Sequence, residues 1–246
     1  DGHSLHTART SELLPVDLNA IMYRFERNLQ HIATLAGERT AAESLGAAAL
    51  ARHRAMDELL WNEGRHQWVD YHWPTRKASE AAATAANWTP LWAGCFGARQ
   101  AQLATQSLRR SGLLQRGGVA TTLAPSSQQW DWPNAWAPLQ EMIVEGLERT
   151  GRADAHALAL RIARSWVGSN LHAWQSTHFM FEKYAADAPG LGGGGGEYAP
   201  QVGFGWSNGV ALSLLARYGD ALAEGSVTHV QPRVPVHPHG GDAVRR

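Results

Sequence analysis

Five consecutive glycines at positions 192–196 constrain the fold of this chain more than any other stretch of its sequence. Each glycine costs about 0.5–1 kcal/mol relative to alanine in regular structure, because its unfolded backbone is freer. A protein accepts that cost where the backbone passes tightly against another group or adopts positive φ. A flexible linker is the alternative interpretation. Aromatic residues are rare in linkers, yet Tyr198, Phe204 and Trp206 follow the run. The run therefore indicates a shaped loop.

Two carboxylates bracket the glycine run, Glu182 before it and Glu197 after it. Carboxylates beside aromatic rings suit a sugar substrate, because the acids act on the glycosidic bond while flat rings cover the apolar faces of the pyranose. The chain also contains 11 tryptophans in 246 residues, a density typical of carbohydrate binding as well as of a packed core. Solvated acids beside a loop are the simpler interpretation of the same residues.

Composition narrows the class of protein. The 22 basic residues balance the 22 acidic ones, which removes the electrostatic footprint of a nucleic-acid binder. No apolar run is long enough to span a bilayer, so no membrane partner is predicted. A single cysteine, Cys95, forms no internal disulfide, and the compartment stays open between periplasm and cytoplasm.

No metal or cofactor is predicted from the motifs. An isolated His237-x-His239 pair near the C-terminus is usually solvated rather than metal-binding. The glycine run resembles a phosphate-binding loop only superficially, because no Lys-Ser/Thr follows it and no strand is predicted before it.

Apolar residues at helical spacing predict six helices, so the fold class is all-α. Their approximate bounds are 17–37, 40–60, 88–110, 134–151, 153–184 and 207–219. The fifth is too long for one continuous helix, and we expect an interruption near residues 168–170. Alternating aromatic residues around Glu63-Gly64 predict a small hairpin between the second and third helices.

The first two helices carry apolar patterns. Seven residues of the first helix fall on one stripe: Leu18, Ile21, Met22, Phe25, Leu29, Ile32 and Leu35. Five residues of the second are expected to point inward: Ala47, Leu50, Met56, Leu59 and Leu60.

Tight turns alternate with longer polar loops along the chain, which favours paired antiparallel helices in a bundle or toroid. The long loops then gather at one end of a rigid scaffold, where functional sites usually lie. Residues 113–133 and 185–206 form the two longest connections with dense polar and aromatic content. We therefore expect the site where these two loops meet.

Residues 129–138 read Gln-Trp-Asp-Trp-Pro-Asn-Ala-Trp-Ala-Pro. This stretch resembles the second signature of the trehalases, Gln-Trp-Asp-x-Pro-Asn-Gly-Trp-Ala-Pro, with Ala135 as the one departure. The glycine run, its Glu-Tyr and the following Gln-x-Gly-Phe-Gly-Trp-x-Asn-Gly are also similar to that family, as is Leu-Pro-Val-Asp-Leu-Asn at 14–19. The matches extend in the family's order from residue 14 to about residue 209.

The resemblance implies an (α/α)6 toroid and hydrolysis of α,α-trehalose to two glucoses with inversion. It implies that Glu182 is the general base, that Glu197 contacts the substrate and that Trp130 lines the sugar pocket. In an inverting enzyme the acid and the base lie roughly 6.5–9.5 Å apart.

The remaining candidates have two interpretations each. Gln129 binds sugar hydroxyls or braces its loop. Phe204 and Trp206 form a pocket wall or pack internally. Lys183, next to the predicted base, is expected to face solvent.

The family's general acid is absent from this chain. That acid is the Asp of a Trp-Asp-x-Ser-Ser-Arg-Trp motif, which precedes Pro-Val-Asp-Leu-Asn in the family and occurs nowhere here; the first signature, Pro-Gly-Gly-Arg-Phe, is absent too. We expect Asp17 and Asp131 to brace a helix start and a loop, and assign neither them nor Asp1 as the acid.

The chain thus resembles the C-terminal half of a trehalase. Residues 1–224 are expected to form that part of the toroid, and 225–246 a flexible tail. The expected partners are trehalose or glucose and the N-terminal half of the same enzyme. The chain alone is expected to be inactive and to expose apolar surface where the missing helices belong. A non-catalytic sugar-binding or structural fragment is the alternative, and a toroid enzyme acting on another α-glucoside is a third.

Overall fold

The computed structural model describes residues 8–126, 128–196 and 198–224, and it is mostly helical. The α-helices of these residues are α1 Val16–Leu35, α2 Arg39–Leu59, α3 Thr89–Ala93, α4 Ala98–Arg110, α5 Ala137–Arg149, α6 Ala153–Thr177 and α7 Gly205–Glu224. The predicted tail at 225–246 lies outside the described residues, as does Asp1.

Short strands pair within the loops between the helices. They are β1 Leu13–Leu14, β2 Trp61–Asn62, β3 Gln67–Trp68, β4 Tyr71–His72, β5 Lys77–Ala78, β6 Leu114–Gln115, β7 Gly118–Val119, β8 Asn134–Trp136 and β9 Lys183–Ala185. The antiparallel pair β2–β3 is the hairpin predicted around Glu63-Gly64. The pair β8–β9 joins segments about fifty residues apart in sequence, and it brings together the two long loops.

Both ends of α1 lie within two residues of the predicted bounds, 17 and 37. Pro15 stands in extended conformation before the helix, and the backbone N–H of Val16 donates to the Asp70 carboxylate at 2.9 Å. Burial raises the pKa of Asp70, the Val16 hydrogen bond opposes that rise, and nearby Asp17 adds to it. Gly37 lies in the short turn between α1 and α2 with φ of 77°, a conformation that is strained for residues with a Cβ.

Two predicted helices are wrong in their continuity. The predicted third helix is two helices, because Gly94 adopts φ of 77° and ends α3 before α4 begins. The predicted interruption at 168–170 does not occur. The Asn170 side-chain amide donates to the Trp166 carbonyl inside the helix at 2.8 Å, and Ser169 Oγ accepts from Gly190 N–H, so α6 accommodates both polar residues.

Helix α6 ends earlier than the predicted residue 184. His178 adopts a left-handed conformation with φ of 61° and closes the helix. Lys183 and Tyr184, predicted as helical, therefore belong to strand β9.

The core lies where α3, α5 and α6 pack together with the loop segments. Its largest fully buried side chains include the indoles of Trp68, Trp88 and Trp166. Gly146 of α5 allows close backbone contact, because a Cβ there would lie 2.7 Å from the backbone nitrogen of Trp92.

Cys95 is buried beside Met56, and burial raises the pKa of its thiol to about 12. This thiol is therefore protonated and unreactive at neutral pH.

The apolar stripe of α1 faces outward. Five of its residues are 45–75% exposed: Leu18, Ile21, Phe25, Ile32 and Leu35. On α2 the inward prediction holds for Met56 and Leu60 but is wrong for Ala47, Leu50 and Leu59, which are exposed.

The contact between α1 and α2 uses small and polar groups instead. Ala20, Ala33 and Ala49 are buried, and the Arg52 guanidinium binds the Glu26 carboxylate at 2.7 Å.

No helix of the described residues combines the length and apolar character needed to cross a bilayer.

An arginine–glutamate network joins α1 to the core helices. The Arg24 guanidinium binds Glu145 at 3.0 Å, donates to the Trp92 carbonyl and lies 4.1 Å from the centre of the Trp92 ring. Burial raises the pKa of Glu145, but hydrogen bonds from Arg24 and Arg149 outweigh it and leave the pKa below its ordinary value.

This network predicts a pH-dependent contribution to stability. Because the folded pKa of Glu145 is lowered, its contribution is present above the unfolded carboxyl pKa and is lost as pH falls through the folded pKa. We expect Glu145→Gln to lower the free energy of unfolding by about 1 kcal/mol at pH 7 and by much less at pH 3. Urea unfolding at both pH values measures this difference. The matched control is Glu58→Gln on exposed α2, since Glu58 has no ion pair among the described residues. If Glu145→Gln lowers the free energy of unfolding by the same amount at both pH values, the prediction is wrong.

Candidate active site

The polyglycine segment, residues 192–196, lies beside strand β9. Gly193 N–H donates to the Lys183 carbonyl at 2.9 Å, and Gly192 forms an antiparallel bridge with Tyr184. On its other side β9 pairs with β8, with Trp136 opposite Lys183. The two loops that carry the sequence motifs therefore meet in one small sheet.

Close packing requires glycine at two positions of this segment. A Cβ on Gly193 would lie 2.3 Å from Asn134 Oδ1, and a Cβ on Gly196, whose φ is +84°, would lie 2.8 Å from the Gln129 side chain. Asn134 binds the segment through both side-chain atoms: Nδ2 donates to the Gly194 carbonyl at 2.9 Å, and Oδ1 accepts from Gly194 N–H at 3.1 Å. The segment is a positioned loop and not a linker.

Glu182 follows α6 and immediately precedes β9, and its side chain is held by two donors. The Tyr198 hydroxyl donates to Oε1 at 2.7 Å, and the backbone N–H of Gln201 donates to Oε2 at 3.0 Å. Glu182 is only 5% exposed. The hydrogen bond to Glu182 raises the pKa of Tyr198, with desolvation and the carboxylate charge adding to that effect. The arrangement fixes a carboxylate with one partner on each oxygen.

Aromatic rings line the region beside Glu182. Trp130 stacks on Trp136 with ring centres 4.1 Å apart and planes 11° from parallel. Trp206 meets both rings edge-on, at 6.4 and 5.5 Å, and its Nε1 donates to the Glu182 carbonyl at 2.8 Å. Trp136 is buried, whereas Trp130 is 39% exposed. Trp130 therefore offers an accessible ring on a buried support.

The structure brings most of the sequence-predicted site residues together. Phe204 packs on Trp206 with ring centres 4.8 Å apart, and the half-buried Gln129 lies against Gly196. These contacts link both to the cluster around Trp130 and Glu182. Glu197 lies outside the described residues, so its substrate contact stays a prediction.

The two aspartates set aside as acids have local partners. Asp17 Oδ1 accepts from Leu18 N–H in the first turn of α1, and the Asp131 carboxylate accepts from the Ser126 hydroxyl. Within the described residues, no group of three or more His, Cys, Asp or Glu side chains is arranged to hold a metal ion.

Lys183 corrects one sequence-based expectation. It was expected to face solvent, but it is fully buried in β9, where its Nζ donates to the Gly195 carbonyl at 3.1 Å. Burial lowers the pKa of Lys183, and the charge of Glu182 opposes that effect. Tyr198 and Asn134 were not assigned site roles from the sequence, although both stand inside the family motifs.

Comparison of the fold with solved structures identifies the scaffold of this chain. The fold matches a neutral trehalase of Saccharomyces cerevisiae with a TM-score of 0.71 and 21% identity, over 87% of this chain and 39% of that one. It also matches a GH63 mannosylglycerate hydrolase from Thermus thermophilus in complex with glucose, with a TM-score of 0.61 and 23% identity over 83% and 48% of the two chains. The scaffold is thus part of the helical toroid shared with these hydrolases.

Sequence comparison then gives the family. The family model described as trehalase matches residues 1–219. A probable trehalase of Oryza sativa is 43% identical, with 89% of this chain and 42% of the relative covered. The trehalase of Oryctolagus cuniculus is 41% identical, with 91% and 39% covered. The chain belongs to the trehalase family, and it spans about two fifths of the length of these curated relatives.

Proposed function

We propose that this chain supplies the general base of a trehalase that hydrolyses α,α-trehalose to two glucoses with inversion. The observation that carries the proposal is Glu182, whose carboxylate is held by Tyr198 and Gln201. Its backbone carbonyl accepts from the indole of Trp206, which packs against Trp130. A positioned carboxylate next to an accessible aromatic ring matches the two requirements of glycoside hydrolysis, proton transfer and sugar placement.

In this mechanism Glu182 takes a proton from a water molecule as that water attacks an anomeric carbon. The new bond joins the water oxygen to that carbon, and the bond from the carbon to the bridging oxygen breaks. An acid outside this chain protonates the bridging oxygen, which leaves as the hydroxyl of the second glucose. Attack from the opposite face inverts one centre, so the first products are one β-glucose and one α-glucose.

The hydrogen bonds to Glu182 suit this role. Each carboxylate oxygen has two lone-pair sites, and the bonds from Tyr198 and Gln201 occupy one on each oxygen. Among the described residues no further donor occupies the remaining sites, which can accept a proton from water, while the two donors fix the direction of the carboxylate.

The N-terminal half of the enzyme is the second part of the proposal. Large apolar side chains are exposed on α1 and also on α7, where Leu212 is 68% and Leu215 is 45% exposed. Apolar faces of this extent are typical of surfaces covered by another part of a protein. They support a toroid completed by further helices, which would carry the general acid.

The test compares this chain with the complete enzyme. We expect the isolated 246 residues to release no glucose from trehalose, because the general acid is absent, and coexpression with the N-terminal half to restore release. Proton NMR during the first turnovers is expected to detect equal amounts of α- and β-glucose before mutarotation.

Glucose release by the isolated chain would contradict the division of acid and base. A complete enzyme that binds trehalose without cleaving it would support the non-catalytic alternative. Cleavage of a different α-glucoside in place of trehalose would support the third.

A further inference from the structure

A buried lysine stands immediately beside the proposed base without a role in the proposed reaction. Lys183 is fully buried, and among the described residues no carboxylate forms an ion pair with its ammonium group. A buried charge without an ion partner is costly. Its burial next to Glu182 calls for a physical explanation.

Among the described residues, three groups contact the Lys183 ammonium. It donates to the Gly195 carbonyl at 3.1 Å, and it lies 5.1 Å from the centre of the Trp136 ring and 5.6 Å from the centre of the Tyr198 ring. Cation–π attraction acts at these distances and is stronger where the rings and the cation are desolvated. The ammonium therefore connects three parts of the site. They are the Gly195 carbonyl, the Trp136 ring on which Trp130 stacks, and the Tyr198 ring.

The same groups position the proposed base. Tyr198, on one side of the Lys183 ammonium, donates its hydroxyl to Glu182 Oε1. The polyglycine segment, held through Gly195, leads along the chain to Tyr198. A displacement of this segment would move the Tyr198 hydroxyl away from the carboxylate.

We propose that Lys183 is a positioning residue that orients the Glu182 base through Tyr198 and the polyglycine segment. The inference rests on the proposed function of Glu182. Lys183 itself touches neither the substrate nor the water in this scheme. Its effect is therefore expected on the chemical step, which depends on the direction of the carboxylate, and less on substrate binding.

The principal variant is Lys183→Met, made in the complete enzyme. Methionine keeps the length and apolar body of the side chain but removes the ammonium, and replacing a buried charge by an apolar side chain is often tolerated by the fold. We expect kcat to fall about tenfold or more, the size of a lost base alignment, while KM for trehalose changes by less than about threefold. A purely structural role would reduce the amount of folded enzyme without changing kcat per folded molecule.

A double-mutant cycle with Tyr198→Phe separates positioning from independent effects. If Lys183 acts through Tyr198, the double variant has a kcat within about twofold of the slower single variant. Hydrogen exchange supplies a readout that does not depend on activity. We expect amides of the polyglycine segment, including Gly193 N–H, to exchange faster in Lys183→Met, while amides of α5 keep their wild-type protection.

The outcomes distinguish this inference from the proposed function. If the wild-type complete enzyme does not hydrolyse trehalose, the proposed function is refuted. Hydrogen exchange in Lys183→Met then tests independently whether Lys183 holds the polyglycine segment in place. A Lys183→Met enzyme with wild-type kcat, or with losses that multiply with those of Tyr198→Phe, overturns the inference. If Lys183→Met does not fold, Lys183→Gln is expected to show the same loss and the same faster exchange, and wild-type values there overturn it as well.

Discussion

Glu182→Gln in the complete enzyme is expected to lower kcat for trehalose by about a thousandfold, because an amide cannot take a proton from the attacking water. The fold is expected to remain intact. The new amide oxygen can accept from Gln201 N–H, and its NH2 can donate to the Tyr198 hydroxyl, which acts as donor or acceptor. Glucose-release kinetics and circular dichroism measure the two expectations.

The chain offers a matched control for this substitution. Glu148 also accepts a hydrogen bond from a tyrosine hydroxyl, that of Tyr218, but it lies on α5 away from the indole cluster. Glu148→Gln is expected to keep a kcat within about twofold of wild type, since the site does not use it. Wild-type turnover in Glu182→Gln would place the base elsewhere.

Gly193→Ala is expected to have the second large effect. The added Cβ would lie 2.3 Å from Asn134 Oδ1 and 2.9 Å from Lys183 Cγ, and both neighbours are buried. Asn134 must then leave, and its hydrogen bonds to the Gly194 backbone and the Gln129 carbonyl are lost. At about 1 kcal/mol for each of these bonds, we expect the free energy of unfolding to fall by about 2–4 kcal/mol. We expect kcat/KM to fall by about tenfold or more, since the segment positions the site.

The next glycine provides the control. A Cβ on Gly194 would meet no heavy atom within 4 Å, and its φ lies outside the left-handed region. Gly194→Ala is therefore expected to leave stability unchanged or to raise it by about 0.4–1 kcal/mol, through a less flexible unfolded chain. Chemical unfolding and glucose-release kinetics compare the two variants. Equal losses in both would show that any side chain disrupts the segment, against the specific contact with Asn134.

Local signals were sufficient for some parts of the fold. Pro15 and Gly37 marked the ends of α1 because their backbone preferences act within one or two residues. The continuity of α6 was not predictable in the same way. The side chains of Ser169 and Asn170 interrupt or join a helix according to where their hydrogen bonds go, and one of those bonds reaches Gly190 in a different segment.

The same difference between local signals and contacts of distant segments applies to the candidate site. Trp130 and Glu182 were proposed as site residues because they stand in recognisable motifs. The burial of Lys183 was missed because it depends on the pairing of β9 with β8, a contact between distant segments that no local pattern reveals. The sequence predicted exposed apolar surface but did not say that α1 carries part of it. Helical periodicity identifies an apolar face, but it does not say whether the chain itself covers that face.

The register of β8 and β9 has a consequence for how this chain tolerates changes in length. Successive side chains on a strand point to opposite sides, so removing one residue from 183–185 would turn Lys183 and its neighbours to the wrong side of the sheet. Insertions in exposed parts of the 113–133 loop leave that alternation untouched. Viable length variants should therefore accumulate in the surrounding loops and avoid these three positions.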